Sequence, residues 1–168
     1  MRKNILWLAV TVAAALIQMT WLSALQIQGV KPDLVLLLVV FFAITDGEER
    51  AMFTGLLGGL YQDVSANMVL GHHIACNVLV GYLAARIAHR LITEHPAVKA
   101  GLVLCASLIQ GLVFTAVLYV QNPDLEAFAL VLNNVIPRMF YTGLITPIVY
   151  FVMSRMFRQP NSIQGVLP

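Results

Sequence analysis

Apolar residues fall along this chain in long runs separated by short polar breaks. The runs are Ile5–Leu25, Pro32–Thr45, Ala51–Ala66, Leu70–Ala88, Ala97–Val120 and Phe128–Met153. Most approach the ~20 apolar residues that a helix needs to cross a bilayer. The pattern therefore predicts an all-α polytopic membrane protein of six transmembrane helices. Residues 1–158 form one membrane domain in this reading, and 159–168 a short polar tail. The second run is short for a crossing. Either its helix extends through Asp46-Gly47-Glu48-Glu49-Arg50, or its neighbours shield it. Gly47 marks a turn better than a helix interior, which makes the second and third helices a tight hairpin.

Charge orients the runs. Placing the N-terminus in the cytoplasm puts Arg2, Lys3, Arg50, Arg86, Arg90, Lys99, Arg155 and Arg158 on the inner side, eight of the ten basic residues. Lys31 falls outside, and Arg138 lies within the last run. The connecting loops are short, the condition under which the positive-inside bias is informative. The reverse orientation would translocate nearly every basic residue. Both termini are therefore expected in the cytoplasm. Trp7 and Trp21 are about 21 Å apart along a helix, a spacing that suits one interfacial aromatic near each end of the first crossing. That first run is longer than a signal-peptide core of about 7–15 residues. Leu22 also stands where a cleavage site would need a small residue.

Composition agrees. The chain of 168 residues is 60% hydrophobic and 11% charged, against about 25% charged in soluble domains. The net charge of +2 arises from orienting signals and gives no reason to expect nucleic acid. Cys76 and Cys105 are expected about 10 Å apart in depth, too far for a disulfide, which needs Cα atoms within about 7 Å.

The remaining polar residues carry the candidate chemistry. Lys31-Pro32-Asp33 opens the second helix. Proline fits a first helical position, and Asp33 suits the positive helix end. Gly55, Gly59 and Asp63 recur every four residues and so share one stripe. The glycines offer a groove for close backbone approach, within the fold or in a partner. Asp63 is an acid near the outer end of a helix, which makes it a candidate functional residue. The plainer reading is that it meets the interface or caps the next turn.

His72 and His73 are adjacent, so their side chains diverge by about 100° on a helix. No third ligand stands at a fixed spacing, and no metal site is expected. Asn133, Asn134, Pro137 and Arg138 cluster in the outer half of the last helix. Arg138 is the basic residue at membrane depth. Either Asp63 is its counter-charge, or it snorkels to the headgroups. Asp33, Asp63, His72, His73, Asn133, Asn134 and Arg138 are spread over four of the six helices, and no spacing links an acid to a base. An enzyme is not expected, nor a cofactor.

These residues resemble the MreD family, small membrane components of the bacterial rod-shape (elongation) machinery. The likeness rests on length, on six runs, and on the central block. That block comprises Lys31-Pro32-Asp33, the Gly55/Gly59/Asp63 stripe, Leu70-Gly71 and Tyr82-Leu83. It covers roughly residues 1–158 and is most specific over 31–90. The last third matches in hydropathy only. The resemblance implies a non-enzymatic scaffold in the bacterial cytoplasmic (inner) membrane. It implies a bitopic MreC-like partner and, indirectly, the MreB filament, the RodA glycosyltransferase and a class B penicillin-binding transpeptidase. Membrane lipid is the other expected contact. It also implies a fold similar to the substrate-binding subunits of energy-coupling-factor transporters. The rival expectation is accordingly a small-molecule, vitamin-type binding subunit, although the short outer loops give such a pocket little to build on.

Overall fold

The computed structural model describes residues 2–20, 30–66, 70–90 and 95–157. Trp21, the outer loop at Asn67, Arg158 and the tail 159–168 lie outside them. Among the described residues the fold has six helices: α1 (Arg2–Thr20), α2 (Leu34–Thr45), α3 (Glu48–Ser65), α4 (His72–Ala88), α5 (Pro96–Gln121) and α6 (Ala127–Phe157). Of these, α5 and α6 are long and apolar enough to cross a membrane. Residues 4–20 and α2 are apolar but shorter.

The centre of the bundle is α2. Its run of aliphatic and aromatic side chains has no polar face, so every side must be covered by protein or lipid. Here it is covered by protein. Val35 through Ala43 are all buried, and α2 touches each of the other five helices. At twelve residues it is about 18 Å long, well under the ~30 Å hydrocarbon thickness. Residues 30–33 run into the bundle as non-helical backbone, with Val30, Pro32 and Asp33 buried. Irregular backbone is tolerated at membrane depth only where protein or a cavity surrounds it.

Of the two readings of the second run, the structure takes the shielded one. The helix stops at Thr45, and Gly47, at φ +91°, turns the chain into α3. Asp46 and Arg50 flank that turn, 3.4 Å apart. Beside the turn, Phe41 meets Tyr150 and Phe42 meets Phe157 edge-on, each pair with ring centres 5.3 Å apart. These contacts pin α2 to α6.

The most extensive interface joins α3 to α4, and Gly55 and Gly59 create it. A Cβ on Gly55 would stand 2.7 Å from the backbone of Asn77, and one on Gly59 2.7 Å from that of Ile74. The glycine groove is therefore filled from within the fold by α4.

Large apolar side chains cover the outside. On α6, Phe140, Leu144, Ile148 and Phe151 are each more than 60% exposed. A contiguous apolar surface of this kind needs a non-aqueous neighbour. Cys105 is exposed and Cys76 buried, both free.

Candidate functional site

Each of the six helices sends a polar side chain to one place, and the Asp33 carboxylate is at its centre. Asp33 is the N-cap of α2. Its Oδ1 accepts the backbone N–H of Leu36 at 3.0 Å, the usual capping bond to a helix's third residue. The same oxygen accepts Gln18 Nε2 from α1 at 3.2 Å and Gln62 Nε2 from α3 at 3.1 Å. Oδ2 accepts Gln110 Nε2 from α5 at 3.0 Å and is ion-paired with the Arg138 guanidinium from α6. The backbone N–H of Asp33 donates to Thr142 Oγ1, also on α6, at 3.2 Å.

The amides are satisfied in turn. Gln18 Oε1 accepts the N–H of Val35 at 2.9 Å. Gln62 Oε1 accepts Asn77 Nδ2 from α4 at 2.9 Å, and Asn77 Oδ1 accepts Gln110 Nε2 at 2.7 Å. Gln18, Asp33, Gln62, Asn77, Gln110 and Thr142 are all buried. A buried carboxylate is tolerable when it is paired and its lone pairs are filled, and this one meets both conditions.

Asp63 does different work. It ends its stripe facing the start of α4. Its carboxylate accepts the N–H groups of Gly71 at 2.8 Å and His73 at 2.9 Å, and contacts that of Ile74 at 3.4 Å. His73 Nδ1 is 2.8 Å away on Oδ1. Gly71, at φ +115°, supplies the left-handed turn that aims these donors at one acid. The expectation of Asp63 as counter-charge to Arg138 is thus corrected: Arg138 pairs with Asp33. The physical reason is that the free N–H groups opening α4 lie eight to eleven residues from Asp63. A nearby set of aligned donors satisfies an acid without closing a long loop.

His72 and His73 part company, as adjacent helical residues must. His72 Nε2 lies 2.7 Å from Gln121 Nε2, whereas His73 goes to Asp63. Among the described residues, no group of three or more His, Cys, Asp or Glu is placed to hold a metal ion.

A pocket of about 270 Å³ opens beside the network. Lys31, Arg138, Gln18, Gln62, Ser107 and His73 contribute polar groups to its wall. Asn134 also lines it, largely exposed and outside the Asp33 network. Near the pocket α6 departs from α-helix. Val131–Val135 form a π-helical turn in which the N–H of Ile136 reaches Val131 O. Pro137 has no N–H to give Asn133, which loosens the ladder at this point.

A family model for the rod shape-determining protein MreD matches residues 1–159 of the chain. The chain belongs to the MreD family. Neither a curated protein nor a solved structure matches it. As an MreD-family chain it is a membrane protein of rod-shape determination, and its exposed apolar surface fits that setting. The residues that sequence reasoning singled out in this MreD-family chain divide three ways. Asp33 and Arg138 are in the network, Gly55, Gly59 and Asp63 lock α3 to α4, and Asn134 lines the pocket. Gln18, Gln62, Asn77 and Thr142 were not singled out. The available signal was one amide in the apolar stretch of each of four runs, the first, third, fourth and fifth, counting Gln110.

Proposed function

We propose that this chain is a non-enzymatic scaffold of the bacterial elongation complex. It crosses the cytoplasmic membrane six times with both termini inside, and it binds an MreC-like bitopic protein. Through that partner it reaches the MreB filament, the RodA glycosyltransferase and a class B penicillin-binding transpeptidase. The observation that carries this reading, beside family membership, is the Asp33 network. One carboxylate gathers side chains from α1, α3, α5 and α6, and Asn77 of α4 joins through Gln62 and Gln110. Such a node fixes six helices in one relation and so presents a constant outer surface to partners. That is what a scaffold requires.

The pocket favours a second reading, a small-molecule binding subunit of a transporter. Its fold would then resemble the substrate-binding subunits of energy-coupling-factor systems. Affinity purification of the full chain from detergent-solubilised membranes of a rod-shaped host separates the two. Recovery of an MreC-like protein, lost with Asp33→Ala, supports the scaffold. Recovery of an ATPase module in its place overturns it.

A further inference from the structure

We propose that the pocket beside the Asp33 network binds an anionic, phosphate-bearing group, with Lys31 and Arg138 as its charged contacts. The wall holds two full cations and, among the described residues, no carboxylate. Asp33 and Asp63 stand behind it, each already engaged, the first by Arg138 and the second by His73. The pocket thus faces a ligand with positive charge while its balancing acids are withdrawn.

Two buried atoms on wall residues point the same way. Ser107 Oγ and Arg138 Nε have no hydrogen-bond partner among the described residues, and Ser107 is only 2% exposed. A buried polar group left unpaired is costly, and a native structure keeps one where a ligand, an ion or water completes it. Arg138 Nε can only donate and the Ser107 hydroxyl can donate or accept, so an acceptor-rich group would satisfy both. Phosphate supplies acceptor oxygens and negative charge together, and Arg binds it through a fork of N–H groups. Much of the remaining wall is apolar, with Val30, Phe114, Leu118, Leu130 and Val135. That half suits the first carbons of a lipid chain. At about 270 Å³ the pocket is slightly below the ~300–1,000 Å³ of drug-sized sites, so it fits a headgroup rather than a whole lipid. The π-helical turn lends support, since such turns concentrate at functional sites, and this one carries Asn134 and Val135 into the wall.

The test is native mass spectrometry of the full chain in detergent, titrated with dihexanoyl phosphatidate, with zwitterionic dihexanoyl phosphatidylcholine and with inorganic phosphate. Saturable one-to-one binding of phosphatidate, and weaker binding of the choline lipid, are expected. Lys31→Gln lies outside the Asp33 network and should weaken phosphatidate by about tenfold or more, the scale of one charge-assisted hydrogen bond. Leu118→Trp fills the apolar half and should weaken the lipid while sparing inorganic phosphate. Competition by inorganic phosphate at similar concentration identifies a free phosphate site. Failure to compete identifies a lipid headgroup site. Non-saturable binding overturns the proposal. So does phosphatidate affinity unchanged in both variants, each shown to be folded by an unaltered melting temperature.

Discussion

The carboxylate of Asp33 and the guanidinium of Arg138, 105 residues apart in the chain, form an ion pair inside the helix bundle. Asp33 is fully buried, while the Arg138 side chain keeps 27% exposure along the pocket. The pair ties the non-helical entry to α2 onto α6. Its strength comes from company: three glutamines and one backbone N–H also serve the carboxylate.

Removing that centre strands everything around it. Asp33→Ala leaves Arg138 and the three glutamines without their acceptor. The expected cost is about 3–5 kcal/mol, the range for breaking a buried pair from one side. It should appear as a large drop in melting temperature in detergent and as poor accumulation in membranes. In a double-mutant cycle, Asp33→Ala with Arg138→Met should cost less than the two single changes added together. Strict additivity would show that the pair is not coupled.

Much of this was legible in the sequence, and for physical reasons. Hydropathy runs match helices because a continuous apolar stretch in a membrane protein must satisfy its backbone internally, as a helix does, and the glycine stripe matches a tight interface because both follow helical periodicity. The partner of Arg138 was not legible. Asp63 lies toward the expected outer face and looked equivalent to Asp33 by depth alone. What separates them is the azimuth of each helix and the loop that follows. Asp33 is aimed inward by its place as the cap of a wholly buried helix. Asp63 is taken by the donors that Gly71 turns toward it. The four amides Gln18, Gln62, Asn77 and Gln110 were equally hard to join. Each is an ordinary polar residue in its own helix, and only packing brings them together.

The glycines should differ sharply under the same substitution. Gly59→Ala places a Cβ 2.7 Å from the Ile74 backbone. Neither backbone can yield without moving a helix, so a loss of about 1–3 kcal/mol is expected. Gly101, in α5, has nothing within 4 Å of the same added atom. Gly101→Ala should stabilise by about 0.5–1 kcal/mol through helix propensity. Thermal unfolding of the two variants side by side reads the contrast, and equal shifts would remove the close-approach account of Gly59.

Asp63 should behave as a cap. Asp63→Ala costs about 0.5–2 kcal/mol, as lost caps do, and His73→Ala costs less because the backbone N–H bonds survive. The exchange Asp63→Arg with Arg138→Asp should be worse than either single change. It sets a second acid beside Asp33 and a cation against the N-terminus of α4, where the helix dipole disfavours it. Rescue by that exchange, measured as restored folding, would reinstate a direct Asp63–Arg138 pair.

The proposed topology makes the last prediction. Eight of the ten basic residues lie on the side assigned to the cytoplasm. That side includes the α2–α3 turn, where Arg50 also bonds Asn4 at 2.8 Å. This contact joins the beginning of α1 to that turn and puts both at one end of the bundle. The opposite end holds the start of α2 and the start of α4, joined to α5 by the contact of His72 with Gln121. Residues 121–126 should therefore be outside, and the C-terminus inside. Alkaline phosphatase, active only after export, should be inactive when fused after residue 168 and active when inserted within 121–126. A fluorescent protein that folds only in the cytoplasm should show the reverse. Active phosphatase at the C-terminus would require an odd number of crossings. That outcome would remove α2 from the crossings, its 12 residues being too few to span the hydrocarbon alone at about 1.5 Å per residue.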